Sequence, residues 1–167
     1  TLEGAPVFEV TKLELEALTQ GAVHQGVAME IAAYDYADAL ELLDRVSATG
    51  RKPLFVALDQ VTDPHNLGAV LRSAGAFGAD GVIISQRRSA DVNATVWKVS
   101  AGAAARVPVA KETNLVRTLE AFKARGCFVV GLDGNASVSV DNLNLADQPL
   151  VMVTGAEGKG LSRLVRE

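Results

Sequence analysis

Aromatic residues make up only 5% of this 167-residue sequence, cysteine occurs once and histidine twice. Each scarcity excludes something. A lone cysteine, Cys127, forms no internal disulfide, and its place in the apolar run Cys127-Phe128-Val129-Val130 reads as a buried strand position rather than a nucleophile. With His24 and His65 the only histidines, zinc-ligand spacing is missing. No apolar run approaches the ~18 to 20 residues that span a bilayer, and none has the flanks of a signal peptide, so a cytoplasmic protein is expected. A net charge of −4 argues against a surface that binds nucleic acid everywhere. It leaves room for a local patch, and Arg51 with Lys52, Arg87 with Arg88, and Lys98, Arg106 and Lys111 are candidates either for one or for ordinary solvated charge.

What is plentiful is Ala, Val, Leu and Gly. Apolar residues make up 49% and charged ones 22%, the composition of an α/β sheet with closely packed helices rather than of a disordered chain. The pattern divides the chain in three. Residues 1–33 read as the C-terminal part of a small domain, with strands at Val7 to Val10 and Gly26 to Ile31 and a short helix from Lys12 to Leu18. Residues 34–52 read as a linker carrying a helical pattern from Ala37 to Val46, with the boundary near Arg51 to Pro53. Residues 53–167 alternate regularly. Strands are expected at Leu54 to Leu58, Gly81 to Ile84, Arg106 to Val109, Phe128 to Leu132 and Leu150 to Thr154. Helices are expected from about Asn66 to Phe77, Val92 to Ala101 and Asn114 to Lys123, and from Leu161. Strands alternating with helices make βαβ units and a mainly parallel sheet with helices on both faces. Ligands of such sheets gather after the carboxyl ends of strands, which singles out the loops at 59–66, 133–144 and 155–160.

In the first loop, Asn66 is placed to cap a helix, with Asp63-Pro64 as a turn before it. Arg72 is the only formally charged residue between Pro64 and Ala79; it either snorkels to water or meets an anion, for which a guanidinium suits phosphate or carboxylate. In the third loop Glu157 stands among glycines, after a strand and before a helix. Neither familiar nucleotide fingerprint fits: a P-loop needs four residues between Gly and Gly-Lys where Gly155 to Gly158-Lys159 has two, and the Rossmann spacing fails after Gly160. The middle loop at Gly131-Leu132-Asp133-Gly134 reads either as a tight turn or as the opposite wall of the same pocket.

Together, Leu58-Asp59-Gln60-Val61-Thr62-Asp63-Pro64-His65-Asn66-Leu67-Gly68-Ala69-Val70-Leu71-Arg72-Ser73-Ala74 and Val151-Met152-Val153-Thr154-Gly155-Ala156-Glu157-Gly158-Lys159-Gly160-Leu161-Ser162 resemble the two long motifs of the SpoU/TrmH branch of the SPOUT RNA methyltransferases. The resemblance runs from about Leu54 to the end. Gly21 to Ala28 resembles the end of the RNA-binding domain of the bacterial 23S rRNA guanosine-2′-O-methyltransferase (RlmB-like) subgroup, which favours rRNA over tRNA.

The resemblance implies S-adenosylmethionine as donor, a trefoil-knotted SPOUT-type α/β fold and a homodimer. It implies Asn66, Arg72 and Glu157 as catalytic residues, Leu132, Asp133, Gly134, Thr154, Gly155 and Gly158 as cofactor-binding ones, and no metal. The expected reaction is 2′-O-methylation of a ribose in RNA. The rival expectations are a tRNA methyltransferase of the same family and a catalytically silent RNA-binding or dimerisation module. The family's third motif, an Ile-Pro run followed by a Ser-Leu-Asn loop, is not found before Glu167. The expectation is therefore an incomplete knot and weak cofactor binding by this stretch alone.

Overall fold

The computed structural model describes residues 6–167, which fall into two compact units divided between Ala33 and Tyr34; the first five residues of the segment expected at 1–33 lie outside the described ones. In the first unit, helix α1 (Lys12–Leu18) occupies the expected span. A capping box starts it: the Glu14 N–H donates to Thr11 Oγ1 at 3.3 Å, and the Thr11 N–H donates to Glu14 Oε2 at 2.7 Å. The strands expected at Val7 to Val10 and Gly26 to Ile31 are not formed. Val7, Phe8, Val27 and Met29 are well exposed, so among the described residues neither segment has the pairing partner or covered face that its apolar residues would need.

The second unit is built on a five-stranded sheet in the order β3-β2-β1-β5-β4, parallel throughout. Its strands are β1 (Leu54–Asp59), β2 (Gly81–Ser85), β3 (Val109–Glu112), β4 (Phe128–Gly131) and β5 (Leu150–Gly155). Helices α3 (Pro64–Ala76), α4 (Ala94–Val99) and α5 (Leu115–Ala124) form the crossovers between β1, β2, β3 and β4, and α6 (Arg163–Arg166) follows β5. Strand alternation sends Phe55 and Ala57 to one face and Leu58 to the other. The first face packs against α5 through Phe122, whose ring meets that of Phe55 edge to face at 5.1 Å. The second packs against Leu67 and Leu71 of α3 and Val96 of α4.

Three details differ from the pattern read in the sequence. The stretch 34–52 is more than a connection: α2 (Ala39–Ala48), capped by Asp38, buries Ala39, Leu42 and Leu43 in the first core, because they recur at helical spacing. Just before it, the Ala37 N–H donates to the Val109 carbonyl at 2.9 Å on the edge of β3. Strand β3 itself begins at Val109 rather than Arg106, since the Arg106 and Val107 N–H groups turn back to the Ala103 carbonyl, at 2.9 and 2.8 Å, to close the short 3-10 turn at Ala103–Ala105. Finally, Phe77 leaves the apolar stripe of α3: it is the C-cap and is 81% exposed. Cys127 is buried in the first core just before β4.

The chain order creates the place for a site. From β1 it winds to β3 at one edge, crosses to β4 at the other, and returns to β5 beside β1. The carboxyl ends of β1 and β5 therefore lie together where the winding direction reverses, the position at which such sheets open a crevice.

Candidate active site

Asp59, the last residue of β1, is in register with Gly155, the last of β5, so the loops after them start side by side. In the first loop the helix begins earlier than the sequence suggests. Asp63, not Asn66, is the N-cap: its Oδ1 accepts the His65 N–H at 2.8 Å, with Pro64 in the first helical turn. That N–H, more than the nearby His65 ring, holds the Asp63 carboxyl below the usual range. Asn66 is released from capping. Its side-chain amide instead donates to Glu157 Oε2 across the switch point, at a long 3.4 Å.

The second loop is a tight fold-back. The Gly160 N–H donates to the Ala156 carbonyl at 2.8 Å, and a Cβ on Gly155 would lie 2.0 Å from the carbonyl carbon of Gly160. Only glycine fits at Gly155, and the loop turns through Gly158 at φ +74°. Its exit is tied back to β1: the Ser162 N–H donates to the buried carboxylate of Asp59 at 2.6 Å. Glu157, on the outside of this fold-back, is exposed.

Arg72 stands two turns into α3, roughly 9 Å along the helix axis from Asn66. It is exposed and makes no hydrogen bond or ion pair with a described residue. The fold thus brings Asn66 and Glu157 together and leaves Arg72 apart from both. Of the residues expected at a cofactor, Leu132 and Thr154 line an apolar groove of about 770 Å³ between α3 and the second sheet face. Val70 and Ser73 form its helix wall, and Met152 is part of its floor. Asp133 lines a separate, smaller cavity of about 280 Å³ and is ion-paired there, Arg166 Nη2 to Asp133 Oδ2 at 2.6 Å. Gly134, Gly155 and Gly158 line neither space. Among the described residues no group of three or more His, Cys, Asp or Glu side chains could hold a metal ion.

Two contributors escape a reading by residue type. Asp59 closes an apolar strand, and its position gives no sign that it holds a loop 103 residues away. Arg166 meets Asp133 only because β4 and β5 pair, which brings Gly131 opposite Val153.

A parallel sheet with a Gly-rich fold-back and a facing Asn–Glu pair at its switch point describes an α/β protein with a ligand crevice at the carboxyl ends of its strands. The chain belongs to the SpoU rRNA Methylase family, whose model matches residues 53–167; residues 2–37 match the model for RNA 2′-O ribose methyltransferase substrate binding. It is similar to an uncharacterized tRNA/rRNA methyltransferase from Mycobacterium avium (strain 104), 51% identical over 98% of this chain and 52% of the relative. The chain spans about half the length of the curated relatives it matches. Among solved structures it resembles the AdoMet-bound rRNA methyltransferase from Sinorhizobium meliloti, with a TM-score of 0.65 and 29% identity over 80% of this chain and 49% of that one. It also resembles the SpoU methyltransferase AviRb from Streptomyces viridochromogenes in complex with AdoMet, with a TM-score of 0.69 and 25% identity over 95% of this chain and 66% of that one.

Proposed function

We propose that the full-length protein transfers the methyl group of S-adenosylmethionine to a ribose 2′-hydroxyl of RNA, at a guanosine of 23S rRNA, as a homodimer with a knotted catalytic domain. The carrying observation is the Asn66–Glu157 contact at the switch point in a chain of this family. The substrate-binding match supports RNA as the substrate, and the rRNA methyltransferase named among the similar structures supports rRNA.

The groove beside Leu132 and Thr154 fits the donor in kind: it is apolar with few polar groups, and its volume of about 770 Å³ falls within that of small-molecule sites. S-adenosylmethionine, when bound, supplies an electrophilic methyl group. The chain's own residues must then activate and aim the hydroxyl, a weak nucleophile at neutral pH. Arg72, exposed and unpaired among the described residues, holds the phosphate beside the target ribose in bidentate fashion. Its guanidinium keeps its own proton, so the hydroxyl proton passes to a phosphate oxygen that Arg72 orients. Asn66 and Glu157 fix each other across the crevice and present an amide and a carboxylate to the ribose.

A second reading, tRNA as substrate, is favoured by the printed name of the M. avium relative, which joins tRNA and rRNA. The two separate when the full-length protein is incubated with methyl-labelled donor and either rRNA or tRNA. Label in rRNA supports the first reading, label confined to tRNA moves the assignment to the second, and label in neither removes both.

A further inference from the structure

The loop after β2 carries Arg87 and Arg88, a pair that the site above does not use. Both are exposed, and neither makes a hydrogen bond or ion pair with a described residue. The carboxylates around them are already engaged. Asp91 pairs with Lys111 and accepts from the Tyr36 hydroxyl; Glu112 accepts the Ala39 N–H and the Thr118 hydroxyl; Asp63 caps α3. Two positive charges thus face solvent with no ion-pair partner among the described residues, although Glu112 and Asp63 keep their own negative charge.

Their loop is held firmly in place. On one side the Gln86 N–H donates to the Glu112 carbonyl at 2.8 Å, and the Thr113 hydroxyl donates to Gln86 Oε1 at 3.1 Å. On the other, the Ala90 N–H donates at 2.9 Å to the carbonyl of Val61, in the very loop that leads to Asn66. Since β2 is the immediate neighbour of β1, the loop carrying the arginines leaves the same carboxyl edge of the sheet as the loop that leads to Asn66. Arg88 also holds a left-handed backbone, φ +58°, which a side chain of this size adopts at some cost in strain.

We propose that Arg87 and Arg88 form a pre-positioned phosphate-binding edge that grips the RNA backbone a short distance along the strand from the methylated nucleotide. The inference rests on RNA being the substrate. It gives the substrate a path along the carboxyl edge of the sheet, from the crevice after β1 to the loop after β2. Guanidinium groups bind phosphate bidentately, and a pair on a fixed loop loses little conformational freedom in doing so. A protein with a net charge of −4 concentrates its attraction for a polyanion where positive charge is unopposed.

The test is the affinity of the full-length protein for a fluorescein-labelled single-stranded RNA oligonucleotide, followed by anisotropy over a range of sodium chloride. Losing two phosphate contacts lowers the slope of log K against log salt by about 1.4, and weakens binding roughly 10- to 30-fold at low salt. Arg87→Ala/Arg88→Ala is expected to do this, Arg87→Lys/Arg88→Lys to keep the slope, and the charge-matched pair Arg45→Ala/Arg117→Ala to change neither quantity. Arg88→Gly alone removes one charge while relieving the left-handed backbone, so it loses about half the slope change without a fall in thermal midpoint. Unchanged affinity and slope in the double-alanine protein, or an equal loss in the Arg45/Arg117 control, overturns the proposal. Because binding is read without turnover, wild-type protein that grips RNA through these arginines yet methylates none sinks the proposed function alone.

Discussion

The side-chain amide of Asn66 reaches Glu157 Oε2 at 3.4 Å although 91 residues separate them in sequence. The contact depends on β1 and β5 being neighbours in register, Asp59 beside Gly155. Both side chains project into the crevice at the switch point, and neither is needed to cap a helix. Removing either one should therefore harm turnover more than folding. Asn66→Ala and Glu157→Ala are each expected to lower kcat roughly 100-fold, the scale seen when one positioned polar group leaves a transition state. Stability should change by no more than about 0.5 kcal/mol for Glu157→Ala, because Glu157 is exposed, and by about 1 kcal/mol at most for Asn66→Ala, whose half-buried side chain gives up one long hydrogen bond. Steady-state methylation alongside urea unfolding checks both halves.

Asp59 should behave in the opposite way. Its carboxylate is 4% exposed and accepts the Ser162 N–H at 2.6 Å. Asp59→Ala deletes a charge-assisted bond and leaves a backbone donor to find another partner, a loss of about 1.5–3 kcal/mol. The fold-back carrying Glu157 should loosen with it. Amide hydrogen exchange at Ser162 and Leu161, compared before and after the substitution, reports that directly.

Gly155 and Gly134 make a matched pair of tests for close approach. A Cβ at Gly155 would overlap the Gly160 backbone at 2.0 Å, whereas one at Gly134 meets nothing within 4 Å. Gly155→Ala is expected to destabilise by about 3 kcal/mol or more, since the obstruction is main chain that has no rotamer to change. Gly134→Ala should stay within about 0.5 kcal/mol. Thermal unfolding of the two proteins side by side separates them.

Burial pushes the Cys127 thiol up from its ordinary range, and the nearby Arg125 offsets this only in part. The folded protein should resist a thiol reagent at neutral pH and react once unfolded in urea. The sign of the linkage is fixed by the raised value. Below the ordinary thiol range both states hold the proton and stability is unaffected; as pH rises through it the unfolded chain ionises first, so stability falls until the folded thiol also ionises. Cys127→Ser should flatten that alkaline decline, as read by urea titrations across the range.

Much of the sheet was legible because a parallel sheet covered on both faces writes itself as unbroken apolar runs. Leu54 to Leu58, Gly81 to Ile84 and Leu150 to Thr154 all became strands within a residue or so of their expected ends. The N-terminal segments failed on the other side of the same rule: Val7 to Val10 has strand-like residues, but a strand is a pairing and no described residue pairs with it. At the site, the cap expected at Asn66 lies three residues earlier, at Asp63. Asp63 followed by Pro64 is the stronger helix start, and only with Asp63 as cap is the Asn66 amide free for Glu157. The Asp59–Ser162 and Asp133–Arg166 contacts had no local signal, since each is made by strand order rather than by residue pattern.

The central claim, methyl transfer to a ribose hydroxyl at the crevice formed by α3 and the Glu157 loop, is tested most directly by locating the methyl group. Methyl-labelled donor, RNA and the full-length protein are incubated, the RNA is hydrolysed in alkali, and the same is done with Arg72→Ala. A 2′-O-methyl group blocks cleavage at its own linkage, so the account predicts label in alkali-resistant dinucleotides from the wild type and a loss of about 100-fold or more with Arg72→Ala. Label released in mononucleotides, as from a methylated base, or near wild-type transfer by the Arg72 variant, would contradict it.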